Sequence, residues 1–265
     1  MTALDWLAVI VLGVIEGVTE FLPVSSTGHL LIAERWLPRQ SDLFNIVIQS
    51  GAVLAVIPLF STRIRQLASN LRDRETRDLW LKIAVAFGLT GAGGLALDRL
   101  GLGLPATLLP VVLPLMIGGI LFVLVERWLK GRPLTGNITW TIAIAAGIGQ
   151  LLAAVFPGAS RSGMTILAML VLGLNRPLAT EFSFLIGIPT MLAAGGLKIF
   201  KSLHDPEVDA APENWGMVAL GFVVSAIVSF VVVKWLLRYV QTHTFTVFGW
   251  YRIILAAVLL LLFAR

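Results

Sequence analysis

Apolar runs of roughly 18 to 20 residues dominate the chain, each long enough to cross the ~30 Å hydrocarbon layer of a bilayer as a helix. Six stand out: Leu43 to Phe60, Leu79 to Leu97, Leu108 to Val125, Phe182 to Phe200, Trp215 to Trp235 and Val247 to Phe263. A further stretch, Ile138 to Phe156, is interrupted near its end by Gln150 and runs into a Pro-Gly turn. The first, Leu4 to Ile15, is short and runs into Glu16 and Glu20. No basic stretch precedes it and no small-x-small cleavage site follows, which predicts a segment kept in the mature fold and not a removable signal peptide.

The two interrupted stretches resemble each other. Glu16-Gly-Val-Thr-Glu-Phe-Leu-Pro23-Val-Ser-Ser26-Thr-Gly returns in outline, 134 residues on, as Gln150-Leu-Leu-Ala-Ala-Val-Phe-Pro157-Gly-Ala-Ser160-Arg-Ser. Each copy follows a hydrophobic helix, turns at a proline and continues through hydroxyl residues into an apolar segment too short to span, Leu30 to Leu37 or Ile166 to Leu174. Helix, polar turn and short helix predict a re-entrant hairpin, which is tolerated at membrane depth only where protein or water satisfies the backbone. One hairpin followed by three spans per half inverts the second half relative to the first. The expected fold is therefore all-α and polytopic, a single domain over 1–265, with six spans and two hairpins in inverted repeats of about 1–130 and 131–265.

Composition and charge sharpen this picture. Of 265 residues 57% are hydrophobic and 13% charged, and the mean hydropathy is +0.90, against about 25% charged residues in soluble domains. The net charge of +5 reads as loops facing an anionic membrane surface, with no nucleic acid as partner. Arg63, Arg65, Arg72, Arg74 and Arg77 fill one connection, read as a solvated loop from Ser61 to Asp78. Arg127, Lys130 and Arg132 mark another, and Lys234 and Arg238 a third. These alternate with Pro38 to Asp42, Asp98 to Thr107 and Lys201 to Asn214, the last carrying Asp205, Glu207, Asp209 and Glu213. An excess of Lys and Arg marks the cytoplasmic side, so both termini and the mouth of the first hairpin are expected to face the exterior or periplasm. The absence of cysteine excludes disulfides, thiolate metal sites and a cysteine nucleophile. No Walker, zinc-binding His-Glu-x-x-His or nucleic-acid motif occurs. The eight tryptophans lie mostly near span ends, as interfacial anchors do.

Candidate chemistry gathers at the two turns. Glu16 and Glu20, four apart, share a helix face, and an acidic residue at mid-membrane costs about 2.5–3.5 kcal/mol unless a cation, a proton or a basic partner intervenes. After Pro23 come Ser25, Ser26, Thr27 and His29 at the start of a new helix, where hydroxyls and free N–H groups suit phosphate. His29 is able to exchange a proton near neutral pH. The second turn adds Gly158, Ser160, Arg161, Ser162 and Thr165. Gly158 permits a tight bend, and the Arg161 fork matches phosphate oxygens. If the halves fold together, acid, base, hydroxyl and guanidinium converge in one cavity. Such an architecture also serves secondary transporters, so a carrier or flippase of a lipid phosphate is the competing reading; hydroxyls and acids facing an arginine favour chemistry.

The motifs Glu-Gly-Val-Thr-Glu-Phe-Leu-Pro-Val-Ser-Ser-Thr-Gly-His (16–29) and Pro-Gly-Ala-Ser-Arg-Ser-Gly-Met-Thr (157–165) resemble the two signatures of the bacterial undecaprenyl-diphosphatase family, also called bacitracin-resistance proteins. The segments starting at Gln49, Glu181 and Phe248 look like further family segments. The resemblance implies a multi-pass enzyme of the bacterial inner membrane, its site opening to the periplasmic side. It would remove the terminal phosphate of undecaprenyl diphosphate and so recycle the lipid that carries peptidoglycan precursors. It casts Glu16, Glu20, Ser26, His29 and Arg161 as catalytic, with Ser26 the candidate nucleophile, and Ser25, Thr27, Gly158, Ser160, Ser162 and Thr165 as substrate-binding. A divalent cation, Mg2+ or Ca2+, is expected on Glu16 and Glu20, and a homodimer is one expected assembly. Whether the nucleophile is Ser26 or water is open at this stage, as are the roles of Gln49, Glu181 and Arg252.

Overall fold

A computed structural model describes residues 3–33, 35–38, 40–70, 72–102, 107–204 and 214–263. The chain is all-α: α1 (Ala3–Thr19), α2 (Ser26–Ala33), α3 (Asp42–Val56), α4 (Ser61–Ser69), α5 (Arg74–Leu100), α6 (Leu108–Leu129), α7 (Trp140–Val155), α8 (Arg161–Val171), α9 (Arg176–His204), α10 (Trp215–Tyr239) and α11 (Thr246–Phe263). A single parallel bridge between Thr135 and Leu174 is the only extended pairing among the described residues, and it ties the α6–α7 connection to the turn before α9.

Five segments are long and apolar enough to cross a membrane: Asp42–Ser69, α5, α6, Arg176–Lys201 and α10. The sixth expected span is α11, whose described apolar part, Thr246–Leu262, is shorter. Large apolar side chains such as Leu113, Ile227, Val231 and Leu261 point outward. In water so many exposed apolar groups would drive association; in a bilayer they face lipid.

One sequence expectation is revised. The stretch Ser61 to Asp78 is mostly helix and not an open loop. A 3-10 turn at Ile57–Phe60 carries α3 directly into α4. The side chain of Asp73 then caps α5 by accepting from the Thr76 N–H at 2.9 Å, which holds its carboxyl below the usual range. Ile64 and Leu67 give α4 an apolar stripe that its arginines hide in any hydropathy average, and Trp80 Nε1 fastens it by donating to Leu67 O at 2.7 Å. The acidic residues Asp205, Glu207, Asp209 and Glu213 lie outside the described residues.

Packing pairs the helices in a pattern that exchanges between halves. α1 and α3 pack on α10, α7 and α9 on α5, while α3 meets α9 and α6 meets α11. Small residues allow the close approaches, as in membrane helix pairs generally. Gly13 and Gly17 of α1 abut Gly221 and Ser225 of α10, and Gly119 abuts Gly249 between α6 and α11. Inside this frame the bends before α2 and α8 meet: Ser162 Oγ donates to Leu22 O at 3.1 Å, and Phe21 packs edge-on against Phe184 at 5.0 Å. The site is thus walled by the main hydrophobic cluster.

Candidate active site

Both short helices begin alike. Ser25 and Ser160 adopt left-handed conformations, φ 71° and 67°, which for non-glycine residues cost about 1–3 kcal/mol each and concentrate at functional sites. Each serine hydroxyl accepts from an N–H three residues on, Gly28 N at 3.3 Å and Gly163 N at 3.2 Å. The structure therefore equates Ser25 with Ser160 and Ser26 with Arg161. The sequence offset of 134, which holds at the prolines, becomes 135 at the caps. The extra residue is in the second turn, where Gly158 (φ 88°) bends back so tightly that any Cβ would strike the Val111 carbonyl.

Ser26 and Arg161, each opening its helix, converge on one carboxylate. Ser26 Oγ donates to Glu20 Oε2 at 2.9 Å, Gln49 Nε2 donates to the same oxygen at 3.4 Å, and Arg161 Nη2 stands 3.9 Å from Glu20 Oε1. Glu16 and Glu20 are 2% and 7% exposed. The Arg161 guanidinium lies over the Phe21 ring and donates from Nη1 to Ser183 O at 3.3 Å. Its Nε and Nη2 have no hydrogen-bond partner among the described residues, nor does Glu16 Oε2. Buried polar atoms rarely stay unsatisfied without a functional reason. Here the orphans are two guanidinium donors and one carboxylate acceptor, flanking Glu20.

A cavity of about 470 Å³ opens beside this cluster, lined by Glu16, Ser26, Thr27 and Gln49 on its inner side and by Asp42, Asn45, Lys198 and Lys201 further out. Another hollow, about 520 Å³ over Ala68–Asp73, contains none of the clustered groups.

The remaining candidates occupy different positions. Ser160 caps α8 and contacts Ser162 Oγ at 3.1 Å. The fully buried Ser162 and Thr165 bind backbone and Ser183 Oγ, so they brace the turn. Gly158 contributes backbone only. His29, like Glu20 and Arg161, is not among the cavity-lining residues, and it bonds elsewhere: its Nδ1–H donates to Ser25 O at 2.7 Å, which in the neutral ring leaves Nε2 to accept from the Tyr251 hydroxyl at 2.6 Å. Glu181 forms an ion pair with Arg63 at 3.1 Å, away from the cluster. Sequence reasoning assigned no role to Gln49, Ser183, Gly187 or the Lys198–Lys201 pair. For Gln49, Ser183 and the two lysines the available signal was a polar residue within, or at the end of, an otherwise apolar helix; Gly187 carried none.

Two carboxylates are the only acidic groups at the cluster, and no set of three or more His, Asp or Glu gathers among the described residues. A hard divalent cation is commonly held by one or two carboxylates with water and phosphate oxygens completing its shell. Glu16, with its unpartnered oxygen, and Glu20 fit that description.

Fold and site together define a polytopic helical membrane protein with a buried carboxylate–hydroxyl–guanidinium centre built from two paired bends. The chain matches the family described as Bacitracin resistance protein BacA over residues 9–258 and belongs to it. It is 50% identical over 258 residues to the undecaprenyl-diphosphatase of Rhizobium etli, 49% to that of Rhizobium johnstonii and 48% to that of Xanthomonas axonopodis pv. citri. In each case the match covers 97% of both chains.

Proposed function

We propose that this protein hydrolyses undecaprenyl diphosphate to undecaprenyl phosphate and inorganic phosphate. The observation that carries the reading is the convergence of Ser26 and Arg161 on Glu20. Ser26 Oγ attacks the terminal phosphorus, and Glu20 Oε2, already its hydrogen-bond acceptor, takes the proton. The bond to the bridging oxygen breaks, leaving the lipid monophosphate, and water then cleaves the seryl phosphate. Positioning and charge stabilisation supply most of the rate in such transfers. Nε and Nη2 of Arg161, which make no hydrogen bond to the described residues, bind the transferring phosphoryl oxygens, and Gln49 keeps Glu20 in place. His29 braces the left-handed residue next to Ser26. A divalent cation on Glu16 and Glu20 would neutralise charge on the diphosphate. A pure carrier of lipid phosphate would need no hydroxyl bonded to a carboxylate, so hydrolysis is preferred over transport.

In this reading the halves are inverted repeats. The arginine-rich ends lie in the cytoplasm of a bacterial inner membrane, and the cavity opens on the outer side through Lys198 and Lys201. Protein in detergent should release phosphate from a polyprenyl diphosphate, and EDTA should abolish the release, with Mg2+ or Ca2+ restoring it. No release under any metal condition would refute the assignment. Replacing Lys198 and Lys201 together by alanine should raise KM about tenfold, with kcat within about twofold, because mouth charges draw the anionic headgroup without touching the reacting atoms. The effect should shrink with added salt. An unchanged KM would remove the pair from substrate capture.

A further inference from the structure

Arg252, in α11, is the largest fully buried side chain among the described residues, 0% exposed. It pairs with no carboxylate among the described residues. Its guanidinium instead donates to five backbone carbonyls: Pro23 O of the first bend at 3.2 Å, Gly158 O and Ala159 O of the second at 3.3 and 2.9 Å, and Pro114 O and Leu115 O of α6, both at 3.2 Å. Non-helical carbonyls at membrane depth need a donor from protein or water. One planar cation with several fixed donors can serve two loops at once.

We propose that Arg252 is the positioning residue of the site: it clamps the Pro23 and Gly158–Ala159 bends to α6 and thereby sets Ser26 and Arg161 at their mutual distance across Glu20. The inference rests on the hydrolase reading above. Geometry on both sides of the guanidinium supports it. The clamped carbonyls fall two residues before Ser25 and immediately before Ser160, the two strained caps, so drawing them toward Arg252 leaves the hydroxyls and N–H groups of the caps on the cluster's side. The room for the guanidinium comes from two glycines. A Cβ on Gly118 would fall on Nη2, and one on Gly163 would stand 2.7 Å from Nη1. Ser162 Oγ also touches both bends, at Leu22 O and at the Ser160 hydroxyl, but among the described side chains only Arg252 donates to backbone carbonyls of both.

The test uses phosphate release by the intact protein in detergent, with the folded amount fixed by gel filtration and thermal unfolding. Arg252→Lys, whose ammonium cannot span both bends, should lower kcat at least about a hundredfold with KM within about threefold. Gly118→Ala keeps the charge and displaces the guanidinium, and should lower kcat about tenfold or more. Because Arg252 acts through Arg161, adding Arg252→Lys to Arg161→Lys should cost less than threefold further, whereas a purely stabilising residue would give multiplied losses. Multiplied losses, or wild-type kcat in Arg252→Lys or in Gly118→Ala, would overturn the proposal. Inactivity of the wild-type protein itself would instead overturn the hydrolase reading.

Discussion

Glu20→Gln is expected to lower phosphate release about a thousandfold. The carboxylate accepts from Ser26 and Gln49 and faces Arg161. The amide is nearly isosteric, but it is no longer a base for the Ser26 proton, and a positioned general base is worth about 10²–10⁴ in rate. It also removes the negative charge opposite a buried guanidinium. Breaking a close buried pair costs about 3–5 kcal/mol. At 3.9 Å this pair is at the outer limit of contact, so a smaller loss of stability is expected and the protein should still fold. Thermal unfolding alongside single-turnover phosphate release separates the two effects. Turnover within tenfold of wild type would exclude Glu20 from the chemistry.

Gly187→Ala is expected to separate activity from stability in the clearest way. Gly187 lies in α9, and a Cβ there would fall on Arg161 Nη1. The clash is with the end of a flexible side chain, so the structure relieves it by swinging the guanidinium, at small cost to folding. Alanine also favours the helix by about 1 kcal/mol over glycine. A misplacement of about 1 Å in a charge-stabilising group can cost about a hundredfold in rate. We expect kcat to fall by about that factor while the melting temperature changes by only a few degrees. A variant with wild-type kcat would mean that Arg161 does not act from the position seen here.

Much of this architecture was legible from residue order. Long apolar runs have no stable water-exposed form, so the spans at α5, α6, α9 and α10 follow from hydropathy alone. The polar residues at the two prolines were equally visible, since acids, hydroxyls and an arginine inside apolar sequence are too costly to be incidental. Legibility failed where a local average conceals a stripe, as in α4, whose arginines mask Ile64 and Leu67. It failed also at the single inserted residue of the second turn, which moves Ser160 into the place of Ser25 and brings Arg161 opposite Ser26.

Residue order by itself determined that this chain is helical, membrane-embedded and polar at two bends, because the bilayer penalises every other arrangement of those side chains. Tertiary structure alone decided that Ser26 and Arg161 share Glu20, that His29 binds Tyr251, and that Arg252 holds the bends together. Those pairings join residues as far apart as 23 and 252. Their geometry is set by how helices pack, and no local pattern of side chains encodes it.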